Sequence, residues 1–209
     1  AENATIKNIT IIGSVIGDSN IGSICGCASN SSFLNCTSST IINGSGNYIG
    51  GITGYSKDGI FEENLVLSEV KGVNFVGGVV GINNGTLSNN NVRNTIVGND
   101  QVGGIIGCFT GGTMNVNSVS SFITSKSKTG GIVGNIKGLS CKISNCSFYG
   151  EIKSQFSVGG LIGEFGIKDI YTTASSSLGN SFAICDILAS GNYVGGIIGN
   201  DVGKPNSVI

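Results

Sequence analysis

The six residues Val102-Gly103-Gly104-Ile105-Ile106-Gly107 return along almost the whole chain. They reappear as Ile49-Gly50-Gly51-Ile52-Thr53-Gly54, Val76-Gly77-Gly78-Val79-Val80-Gly81 and Thr129-Gly130-Gly131-Ile132-Val133-Gly134. Two more copies are Val158-Gly159-Gly160-Leu161-Ile162-Gly163 and Val194-Gly195-Gly196-Ile197-Ile198-Gly199. A degenerate first copy reads Ile21-Gly22-Ser23-Ile24-Cys25-Gly26. The leading glycines stand at 22, 50, 77, 103, 130, 159 and 195, which spaces them by 28, 27, 26, 27, 29 and 36 residues. A fixed period of this length is the mark of a stacked repeat architecture.

A second feature travels with the first. Some 13 to 15 residues after the first five leading glycines comes an asparagine: Asn35, Asn64, Asn91, Asn117 and Asn145. A strand-like segment follows it, as in Val92 to Val97 or Cys146 to Ile152. Between motif and asparagine lie turn residues such as Asn83-Asn84-Gly85. Apolar residues do not recur at helical spacing, and glycine and β-branched residues are poor helix formers. Each unit therefore reads as short strand, turn, short strand, turn.

One such unit is too short to bury an apolar face, whereas stacked units bury Val76 on Val102 and Ile105 on Ile132. The pattern predicts an all-β parallel β-helix, or β-solenoid, of about seven rungs. It forms one domain over 1–209, with a partial repeat over 1–20 and repeats starting near 21, 49, 76, 102, 129, 158 and 194. Of the 36 glycines, 20 fall in the three fixed motif slots. Fixed slots imply a geometric need, either positive φ or close approach of a neighbouring backbone. The recurring asparagines predict a ladder of stacked side-chain amides.

Composition excludes several functions. Lysine and arginine total 11 against 12 acids, with no basic cluster, so nothing builds the footprint of a nucleic-acid binder. No apolar run approaches the roughly 20 residues of a membrane-spanning helix. Histidine is absent, which removes Ser-His-Asp and Cys-His catalysis and the usual zinc sets. The Gly-Gly-x-x-Gly runs lack the following Lys-Ser/Thr of a phosphate loop. No catalytic residue, metal site or cofactor is expected. A weaker alternative is a polysaccharide-degrading β-helix, which needs carboxylates converging from different rungs, for instance Glu151 and Glu164.

The run from Thr129 through Asn145-Cys146 to Val158-Gly159-Gly160-Leu161-Ile162-Gly163 resembles the GLUG motif. That repeat occurs in adhesin-like surface proteins and in non-catalytic regions of immunoglobulin-A peptidases. The resemblance covers about Ile6 to Asn200. It implies an extracellular or cell-surface β-solenoid without shared chemistry, acting as a scaffold or stalk. The implied partners are flanking domains of a longer chain, or a host protein or glycan along the side. Because no polar caps are evident, the alternative is a subunit stacking end to end with identical copies into a filament.

Local features mark further candidates. The longest interval carries a loop insertion at about 164–181, and insertions in solenoids often form the binding face; Lys168, Asp169 and Tyr171 are its candidate contacts. Seven cysteines leave an odd thiol. Cys36 and Cys146 replace buried apolar residues, which reads as mostly buried thiols, with Cys141–Cys146 as the local disulfide candidate. Among the Asn-x-Ser/Thr sequons, Asn84 at a turn is the candidate glycan acceptor, while Asn35 and Asn145 are expected to be committed to the ladder.

Overall fold

A computed structural model describes residues 1–166 and 176–202. It is an all-β parallel solenoid of about six turns with a spacing of about 27 residues, and no helix occurs among the described residues. One turn illustrates the whole: the chain runs through Thr86–Ser88, Asn91–Val97, Asp100–Gly103 and Ile106–Phe109, one strand in each of four sheets. Every strand pairs in parallel with its equivalent one repeat away, as Val76 does with Val102 and Val102 with Thr129. The first and fourth sheets are seven strands deep, which matches the expected rung count and amounts to about six turns of rise. The second sheet is the widest, with strands of up to eight residues.

The core is a set of columns. Phe33, Phe61, Leu87, Met114 and Ile143 point inward from the first sheet, and Val70, Ile96, Ile123 and Ile152 from the second. The rings of Phe33 and Phe61 stack with centroids 5.0 Å apart. Repetition explains this order: a residue that fits one turn finds the same environment in the next.

The structure separates the two needs proposed for glycine. The motif glycines do not carry positive φ; that conformation falls on non-glycine residues, among them Asn35, Asn89, Val116 and Asn145 at the corner before the second sheet, and Tyr48, Phe75, Gln101 and Lys128 at the start of the third. What the motif requires is closeness. A Cβ on Gly103 would lie well under 3.0 Å from the carbonyl oxygen of Ile106 in its own turn. On Gly104 it would meet the carbonyl of Gly131 in the following turn, and on Gly107 the backbone at Phe75–Val76 in the preceding one. The three slots thus face sideways, forward and backward along the stack.

One core column shows how packing edits the repeat. Gly98 is crowded by a methyl of Val102. One turn later Ser125 stands in the glycine slot and Thr129 in the valine slot, and their hydroxyls are hydrogen-bonded. Ser154, in the next turn, joins both, 3.1 Å from Ser125 and 2.7 Å from Thr129. A steric conflict has been exchanged for a buried hydroxyl cluster, which satisfies its own polar atoms.

Candidate functional site

The asparagine ladder exists, shorter than expected and with Asn90 in place of Asn91. Asn64, Asn90 and Asn117 are buried and linked by Nδ2 to Oδ1 bonds of 2.9 Å each. Each amide also donates to a backbone carbonyl of the preceding turn, at Phe33, Phe61 and Leu87. Cys36 and Cys146 occupy the same slot at the two sides of the amide run. Asn64 and Asn117 stand in the ladder as expected, but Asn35, Asn91 and Asn145 are not part of it. Asn35 and Asn145 are exposed corner residues with φ of 49° and 54°, and they bond outward to Asn8 and Asn115. Asparagine is favoured there because its short polar side chain tolerates left-handed backbone. The sequons at these corners follow from the fold: a left-handed asparagine, an inward residue, then an outward Ser or Thr opening the wide sheet.

Asn84 is half-buried, and both ends of its amide are bound to Asp58: Oδ1 accepts from the Asp58 backbone N–H at 2.6 Å, and Nδ2 donates to Asp58 Oδ1 at 2.7 Å. Lys168, Asp169 and Tyr171 lie outside the described residues. All seven cysteines are free thiols, so the Cys141–Cys146 bridge is not formed. The strand Cys141–Ser144 runs between them, and its extended rise of about 3.3 Å per residue carries them beyond the roughly 7 Å that a disulfide spans. Cys141 Sγ instead approaches the Phe109 carbonyl, and Cys146 Sγ that of Ser144. Burial pushes Cys141 up to about 12 and Cys108 up to about 11, and raises Cys146 as well. Such thiols are neutral and unreactive at ordinary pH.

Glu151 and Glu164 do not converge. Glu151 sits on the wide second sheet beside Lys153, and Glu164 on the fourth sheet, 3.1 Å from Lys128 Nζ. Among the described residues no group of three potential metal ligands gathers.

Two outer surfaces carry notable side chains. The first is the crevice between the third and fourth sheets. Tyr48 and Phe75 stack there with centroids 4.8 Å apart, Tyr55 meets Tyr48 edge-on, and Lys137 lies 5.5 Å above Phe75. The ring faces are therefore taken up by each other and by the lysine. Further along, Asn135 Nδ2 donates to Gln101 Oε1 at 3.2 Å, and Asn200 Nδ2 to Glu164 Oε2 at 3.3 Å. These side chains pair across the two sheets, while Asn135 Oδ1 is buried without a hydrogen-bond partner.

The second surface is the outer face of the wide sheet, which the repeat pattern alone does not single out. Ile12, Ile16 and Ile41 are exposed in its early turns, and Phe122, Tyr149, Phe182, Ile184 and Leu188 in its late ones. Its signal is present in the strand Phe182–Ala189, where Asp186 is the one polar residue and both alternating faces are otherwise apolar. Glu151 and Asp186 are register partners on this face, a like-charge pairing that disfavours the fold. No protein-family model, no curated protein and no solved structure matches this chain.

Proposed function

We propose that this chain is a non-catalytic spacer: a rigid solenoid that holds attached regions of an adhesin-like, extracellular protein away from a surface. The observation that carries this reading is the three-way interlock of the motif glycines, which ties each turn to the backbone of the turns on both sides. Chains tied in this way resist bending and local opening, the property a stalk needs. The resemblance of the Val-Gly-Gly-Ile-Val-Gly repeats to the GLUG motif supports the surface location and the absence of chemistry. The side faces would then be free to meet a glycan or a protein.

Antibodies raised against the chain test this on intact, unpermeabilised source cells. Surface labelling is expected, and rotary-shadowed protein should appear as straight rods of uniform length. Labelling seen only after lysis would overturn the proposal.

A further inference from the structure

We propose that the outer face of the wide sheet is where a second copy of this chain docks, with the two solenoids antiparallel and their wide sheets face to face. Parallel sheets are normally covered on both sides. Here one side packs on the core, and the other exposes large apolar residues, among them Ile12 at 79 %, Ile184 at 63 % and Phe122 at 62 %. Exposed apolar patches of several hundred Å² on a folded protein mark interaction surfaces.

The size of the face fits a second copy. A strand of eight residues is about 26 Å wide, and seven rungs stack to about 30 Å, giving roughly 800 Å². A standard protein–protein interface takes about 800 Å² from each partner.

The distribution of residues selects the orientation. Exposed large apolar side chains stand at both ends of the face, Ile12 and Ile16 in its first rung and Phe182, Ile184 and Leu188 in its last, while Arg93, Thr95 and Ser120 project from its middle rungs. Ile16 and Leu188 occupy one register column at opposite ends of the stack, through Asn43, Lys71, Val97, Thr124 and Lys153. Ile12 and Ile184 stand four residues before them in the same strands. An antiparallel pair therefore lays Ile12 and Ile16 of one copy on Ile184 and Leu188 of the other. It also keeps Glu151 and Asp186 of one copy away from the same acids of the other, setting them opposite the early-turn residues Ile41 and Ser14 of their register column. A parallel pair would set the acids of one copy against the same acids of the other, at an energetic cost.

Light scattering on the intact chain tests this. The expected mass is twice the 21.1 kDa of one chain. The double variant Ile184→Lys/Leu188→Lys is expected to be monomeric, as is Ile12→Asp/Ile16→Asp, with each dissociation constant raised at least about 100-fold, since buried unpaired charges are strongly unfavourable. Mixing the two variants should restore a dimer containing one of each, because the new lysines then face the new aspartates. All four positions point outward, so melting temperatures should stay near that of the parent chain; if a double variant fails to fold, Phe122→Lys serves in its place and should give monomers. A parent chain that stays monomeric at about 100 μM, well above the micromolar ceiling of standard interfaces, would overturn the proposal. So would a mass that grows without limit with concentration, which would mean end-on association. Variants that dissociate but do not recombine would overturn the antiparallel arrangement.

Discussion

Gly104 and Gly196 occupy the same slot of the same motif, in the middle of the stack and in its last described turn. A Cβ on Gly104 would run into the carbonyl of Gly131, whereas one on Gly196 would meet nothing within 4 Å among the described residues. The local sequence is the same, Val-Gly-Gly-Ile-Ile-Gly in both, so the difference lies in what is stacked next. The second glycine is a requirement of the neighbouring turn and not of its own. The first glycine behaves otherwise: Gly103 and Gly195 both face a carbonyl in their own turn, at Ile106 and Ile198, and remain crowded in either place.

The largest expected effect tests that contrast directly. Gly104→Ala should cost about 3 kcal/mol or more in urea melts, because the overpacked neighbour is backbone and cannot swing aside. Gly196→Ala should be neutral or stabilising by up to about 1 kcal/mol, since its φ suits alanine and the unfolded chain loses freedom. Equal losses at the two sites would break the comparison and tie the second slot to its own turn.

Next in size is a contrast within the ladder. Asn90→Ala should cost about 2–3 kcal/mol, since it takes the hydrogen-bond partner from the Phe61 carbonyl and the Asn64 backbone N–H and removes one ladder bond each from the Asn64 and Asn117 side chains. Asn91→Ala, one residue later and facing outward, should change stability by less than about 0.5 kcal/mol. Similar melts for the two variants would mean that the ladder contributes little.

The buried thiols sharpen the comparison by pH. Cys108 and Cys141 are raised in the folded state, to about 11 and about 12. The folded chain therefore holds protons that the unfolded chain releases first. Their contribution is complete below the unfolded thiol value near pH 9 and is lost as pH rises toward 11–12. Each tenfold difference in proton affinity between the folded and unfolded chain is worth about 1.4 kcal/mol, so Cys108 alone should account for roughly 2–3 kcal/mol of alkaline destabilisation. Cys108→Ala should flatten the pH dependence of the melting temperature above about pH 9; an unchanged slope would show that its burial does not govern titration.

The smallest effect lies at the corners. Val116 holds a φ of 53° where Asn145 and Asn35 stand in other turns. A β-branched residue is poorly suited to that backbone. Val116→Asn should therefore stabilise by about 1 kcal/mol, read as a higher urea midpoint with unchanged slope. A loss of stability would mean that the half-exposed Val116 side chain packs more usefully than its backbone suggests.

The candidate surfaces were legible to different degrees. The crevice between the third and fourth sheets could not be read from the sequence, because Gln101 and Asn135, or Lys128 and Glu164, meet only once two sheets of different turns are folded together. The outer apolar face was readable in Phe182–Ala189, where alternation fails to give a polar side, but the isoleucines at 12 and 16 join it only through the register of the stack.

The sequence by itself determined the period, the parallel stacking and the three glycine slots, because a repeat places equal residues in equal environments and leaves few other ways to bury its apolar face. Tertiary structure alone decided which asparagine enters the ladder. Neighbouring residues of a strand point to opposite faces, so a corner displaced by one residue exchanges Asn90 for Asn91 and turns Asn35 and Asn145 outward. It also decided why the glycines are there: no local rule reveals that the obstacle to a Cβ on Gly104 is the carbonyl of Gly131, a full repeat further along the chain.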